Sequence, residues 1–65
     1  MKVIVNDEDV EVDDQTTVAA LIERLGLSEK GIAVAVDWAV LPRSLWQTTL
    51  SDGARLEVVT AVQGG

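Results

Sequence analysis

Apolar residues dominate the first five positions, Met1-Lys2-Val3-Ile4-Val5, and β-branching is frequent. This predicts a strand with both faces at least partly covered. Asn6-Asp7-Glu8 carries turn chemistry, because short polar side chains tolerate unusual backbone angles and bond locally. Val10-Glu11-Val12-Asp13 then alternates, which puts Val10 and Val12 on one buried face and predicts a hairpin. The period changes at Val18. Val18, Leu21, Ile22 and Leu25 fall at i, i+3, i+4 and i+7 and form one apolar helical stripe. Thr16 or Thr17 can cap its start by accepting an orphan N–H of the first turn. Gly26 followed by Leu27 is a stop signal: glycine takes the left-handed angle and leucine packs back.

Ser28 to Gly31 reads as a polar connection, and Ile32 to Val36 as a strand with Val34 and Val36 inward. Asp37-Trp38 turns the chain into a short strand at Ala39-Val40-Leu41, which Pro42 ends for want of an N–H. Pro42 to Trp46 suits a helical turn that tucks Leu45 or Trp46 against the core. After the Ser51-Asp52-Gly53 turn, Ala54 to Val62 forms the last strand, with Leu56 and Val58 inward. The expected order is β-β-α-β-β-β, an α+β domain with one helix packed on one face of a mixed sheet of about five strands. The other face stays open. By alternation Ile4, Ala35, Val59 and Ala61 fall on it, and a patch of Ile4, Ala35 and Val59 is a candidate docking face. Isolated exposed aliphatics are also ordinary on any surface.

Composition narrows the chemistry. Sixty-five residues allow one small domain, expected over residues 1–62, with 63–65 as a flexible tail. Cysteine and histidine are both absent. That removes disulfides, thiolate zinc sites, cysteine–histidine nucleophiles and imidazole acid–base catalysis, and no resident metal is expected. Eleven acids against five bases give a net charge of −6, which argues against nucleic acid or anionic lipid as a partner of the bulk surface. No apolar run is long enough to span a membrane, and no signal-type leader opens the chain, so a soluble cytoplasmic monomer is expected. Asp7, Glu8, Asp9, Glu11, Asp13 and Asp14 hold six of the acids. They read as a solvated edge that repels other chains, as a docking surface for a basic partner, or as ligands for a hard cation. The last of these lacks the glycine of a calcium loop.

The sequence ends Val62-Gln63-Gly64-Gly65. With glycine near 7% of residues, two terminal glycines arise by chance in about 0.5% of chains. A tail of four residues reaches about 13 Å from a domain. Glycines lacking Cβ atoms can enter a channel closed to other residues. What such a tail presents is a carboxylate on Gly65, able to attack the α-phosphate of ATP on a partner enzyme. Together these features resemble the ubiquitin-like β-grasp superfamily. Within it the chain is similar, over nearly its whole length, to the sulfur carriers of bacterial thiamine biosynthesis, the ThiS family. The carrying strings are M-K-V-I-V-N, T-V followed by L-G-L, A-V-A-V-D, V-L-P-R-S-L-W, S-D-G and L-E-V-V-T-A-V-Q-G-G. Asp37-Trp38-Ala39 departs from an asparagine-centred turn common in the family, and Ala54 from an acid that often follows its D-G pair.

The resemblance implies a carrier rather than an enzyme. An E1-like adenylating enzyme of the ThiF type would use ATP with Mg to activate Gly65, and the carrier itself would bind no cofactor. A sulfur donor such as a cysteine desulfurase would convert the adenylate to a thiocarboxylate. A thiazole synthase of the ThiG type would accept the sulfur. Gly64 would thread the partner's active site, with Gln63 and Val62 lining the entry. Three other readings stay open: the same chemistry feeding a molybdopterin, cysteine or secondary-metabolite pathway, a protein modifier joined through Gly65 to lysines, and a non-covalent adaptor. Arg43, Trp38 and Trp46 are open between packing and partner contact.

Overall fold

The computed structural model describes residues 1–28 and 30–60 of the chain. In chain order the elements are β1 (Lys2–Val5), β2 (Glu8–Glu11), α1 (Val18–Arg24), β3 (Ile32–Val36), β4 (Ala39–Val40), a single 3₁₀ turn at Arg43–Leu45, and β5 (Arg55–Thr60). The strands form one sheet in the order β2-β1-β5-β3-β4. β1 pairs parallel to β5 and every other pairing is antiparallel, so the sheet is mixed. This is the predicted α+β arrangement. The expected extension of the last strand through Ala61 and Val62 lies outside the described residues.

Alternation sorts the sheet into two faces. Val3, Val5, Val34 and Leu56 turn toward α1 and are buried with Val18, Leu21 and Ile22. Val36 pairs with Leu56, and Val34 with Val58, so these share that face. Leu21 and Ile22 are fully buried. Each contributes about 1.5–3 kcal/mol relative to leaving it in water. The stripe is one residue shorter than its spacing predicted. Helix α1 ends at Arg24, so Leu25 becomes the C-cap and is left partly exposed.

Both helix ends follow their sequence signals. The Thr17 hydroxyl accepts from the Ala20 N–H at 3.1 Å. Val18 and Ala19 donate to the Thr48 and Trp46 carbonyls, so the segment after the 3₁₀ turn satisfies first-turn donors. At the other end Gly26 sits at φ +76°, its N–H donating to the Glu23 carbonyl and that of Leu27 to the Ile22 carbonyl. These two bonds are the Schellman closure that a glycine in this position permits.

The 3₁₀ turn resolves the choice between Leu45 and Trp46. Trp46 is buried and its indole N–H donates to the Leu41 carbonyl at 3.2 Å, while Leu45 stays exposed. A buried indole needs such a partner. Arg43 lies over the Trp46 ring at 5.2 Å, so the P-R-x-x-W string is a local packing device.

Candidate functional site

The strand that leads to the C-terminal glycines is β5, and it is central in the sheet. Its neighbours on both sides fix its path: Val5 pairs with Leu56 on one side, and Ile32 with Thr60 on the other. Two-residue turns add further ties. Asn6 and Asp7, between β1 and β2, have φ of 49° and 71°; Asp37 and Trp38, between β3 and β4, have φ of 49° and 74°. Left-handed angles at both central residues are what a two-residue hairpin of matching twist requires. In each turn the first residue is an Asx type whose side chain reaches β5. Asn6 accepts from the Val58 N–H at 2.8 Å and donates to the Val58 carbonyl at 3.2 Å. Asp37 accepts from the Arg55 N–H at 3.0 Å, and its own N–H donates to the Arg55 carbonyl at 2.7 Å.

The face of the sheet away from α1 carries no covering element among the described residues. Register puts Ile4 beside Arg55, Ala35 beside Glu57 and Val40, and Val59 beside Ala33 on that face. Ile4 and Ala35 are half-buried, whereas Val59 is 61% exposed. They do not form an unbroken apolar patch. Arg55 and Glu57 lie between Ile4 and the other two, with Arg55 Nε 3.5 Å from Glu57 Oε1. Asp7 pairs with the Arg55 guanidinium from the hairpin side. The Trp38 ring lies over the same guanidinium at 4.8 Å. Lys2 at the β2 side is 3.8 Å from Asp9.

In the sequence Arg55 reads only as part of the last strand, and the structure brings both hairpin turns onto it. Two Asx-led pairs placed between β-runs were the available signal. Of the predicted site residues, Ile4, Ala35 and Val59 share the open face, while Val62, Gln63, Gly64 and Gly65 lie outside the described residues.

Other chemistry is sparse. A cavity of about 170 Å³, lined mainly by Val18, Val36, Leu41, Leu50 and Ala54, falls below the several hundred Å³ usual for a small-molecule site. Among the described residues, no cluster of three acids could hold a metal ion and no helix is long and apolar enough to cross a membrane.

A mixed five-stranded sheet with one helix on one face and a central last strand defines a ubiquitin-like β-grasp protein, and solved structures agree. The crystal structure of a thiamine biosynthesis protein (ThiS) from Geobacter metallireducens superposes with a TM-score of 0.82 at 26% identity, covering all of both chains. A ubiquitin-like protein from Caldiarchaeum subterraneum shares the fold at a TM-score of 0.50 and 15% identity, covering 97% of this chain and 96% of that one. The ThiS family profile matches residues 2–65, and the chain belongs to the ThiS family. It is 29% identical to the sulfur carrier protein ThiS of Escherichia coli K12 over the whole of both chains. It is also 33% identical to part of a thiazole synthase of Paramagnetospirillum magneticum; the match takes in all of this chain but spans only 20% of that protein.

Proposed function

We propose that this chain is the sulfur carrier of thiamine biosynthesis and that Gly65 bears the sulfur. The observation that carries this reading is the family match, which runs through the final diglycine. In the first step an oxygen of the Gly65 carboxylate attacks the α-phosphorus of ATP. The bond to the β-phosphate breaks, pyrophosphate leaves, and a glycyl adenylate remains. Sulfide or a persulfide sulfur then attacks the carbonyl carbon and AMP leaves. With sulfide the product is the thiocarboxylate directly; with a persulfide, reduction of the resulting disulfide by a thiol releases it. ATP and its Mg belong to an adenylating partner of the ThiF type, and a cysteine desulfurase is a suitable sulfur source.

The chain's own contribution is presentation. Residues 1–62 serve as the handle and 63–65 as the tail. Gly64 passes through the partner's channel because it has no Cβ, with Gln63 and Val62 at its mouth. The open face bearing Ile4, Ala35 and Val59 docks the partner. Similarity to part of a thiazole synthase supports a ThiG-type enzyme as sulfur acceptor. Catalysis resides in these enzymes, all placed in the cytoplasm.

Intact mass after incubation with ATP, sulfide and a cognate adenylating enzyme tests the reading. A gain equal to replacement of one oxygen by sulfur, located at Gly65, is expected. Gly65→Ala should remain folded and show no gain. An unchanged mass for the parent chain, beside another carrier that the same enzyme does convert, would overturn the assignment.

A further inference from the structure

Trp38 has no evident reason to be tryptophan. The second central position of a two-residue hairpin of this kind favours glycine, and Asp-Gly is among the best pairs for it. A bulky residue at φ +74° is strained, and outliers of this sort gather where function requires them. Burial does not compensate the strain, since Trp38 is 74% exposed. One face of its ring covers the Arg55 guanidinium, which is held from the sides by Asp7 and Glu57. Val40, 76% exposed, and Val59 extend the same surface.

We infer that Trp38 is the docking anchor of this carrier for its thiazole synthase, inserting into an apolar cleft whose rim carries lysines or arginines. The inference rests on the carrier reading above. Charge specifies the rim. Across the open face, among the described residues, the sheet presents Asp7, Asp9, Glu11 and Glu57 against Lys2 and Arg55, with Asp7 and Glu57 nearest the indole through Arg55, and both of these bases are already ion-paired with acids of the same face. An approaching basic rim is therefore attracted and an acidic one repelled. Tryptophan and arginine, which stack on each other here, are among the residues most enriched at binding hot spots. The thiazole synthase is the occupant because a segment similar to this whole chain exists within such an enzyme. Geometry fits a carrier as well: Arg55 and Thr60 bound β5, so the anchor lies about 17 Å from the end of the strand that leads to the glycines. The partner can hold one end of the domain while the tail enters its active site.

Calorimetric titration of the full chain and of Trp38→Gly and Trp38→Asn into the thiazole synthase tests this. Both variants suit the left-handed angle, so their melting temperatures should equal or exceed the parent's. Their Kd should rise at least tenfold, and the parent's Kd should rise severalfold between 50 and 500 mM salt. Well-folded variants that bind within twofold of the parent would overturn the anchor. So would loss confined to the adenylating enzyme, and a salt-independent Kd would overturn the basic rim. A parent chain that gains sulfur but binds no thiazole synthase would overturn the anchor alone. A parent that gains no sulfur would overturn the carrier reading itself.

Discussion

The two hairpin turns of this domain share a backbone and differ in purpose. Both place two residues at positive φ, both open with an Asx residue, and both bond β5 through it. At the second position they part. Asp7 is short, tolerates the left-handed region, and pairs with Arg55. Trp38 tolerates that region poorly, stacks on the same arginine, and leaves most of its surface in water. The first residue of each turn thus serves the fold, and the contrast at the second separates a structural choice from one that the fold does not require.

The first position of each turn should be the costly one to change. Asn6→Ala should have the largest effect, because it removes both bonds to Val58 and forces alanine into a left-handed angle. A loss of about 2–4 kcal/mol is expected by urea unfolding, from two hydrogen bonds and the conformational penalty together. A loss under about 1 kcal/mol would show that the Asn6 clamp is incidental. Asp37→Ala should cost less, about 1–2 kcal/mol, since one side-chain bond is lost while the backbone bond from residue 37 to Arg55 remains. The order of the two variants matters more than either value: if Asp37→Ala were the more damaging, the Arg55 end of β5 would be the tighter one.

Much of this architecture was legible in the chain because the signals were local. The helical spacing from Val18 to Ile22, the Thr17 cap and the Gly26-Leu27 stop each specify geometry within a turn, and each is present. Alternation also sorted the two faces of the sheet. What sequence could not show was coincidence in space. Asp7, Trp38 and Arg55 are far apart along the chain, and only the parallel pairing of β1 with β5 beside the β3–β5 ladder brings them together. The same ladder divides Ile4 from Ala35 and Val59, which sequence alone had joined in one patch. Leu25 lies at the edge of its stripe because the local Gly26-Leu27 closure makes it the C-cap, which leaves it partly exposed.

The smallest expected effect sits at the position that mirrors Trp38. Asp7→Gly removes a side chain that pairs with Arg55 but suits the left-handed angle better than aspartate does. An exposed ion pair is worth about 0–1 kcal/mol, and relief of the backbone is worth a similar amount with opposite sign. Stability should therefore change by no more than about 0.5 kcal/mol in low salt. Raising the salt should move the balance toward the glycine variant, because screening weakens the ion pair and leaves the backbone term alone. Stability curves of the parent and Asp7→Gly at two ionic strengths check this. A large loss that persists at high salt would mean that Asp7 holds Arg55 beneath the indole by geometry rather than by charge, and the two turns would then be coupled through that arginine.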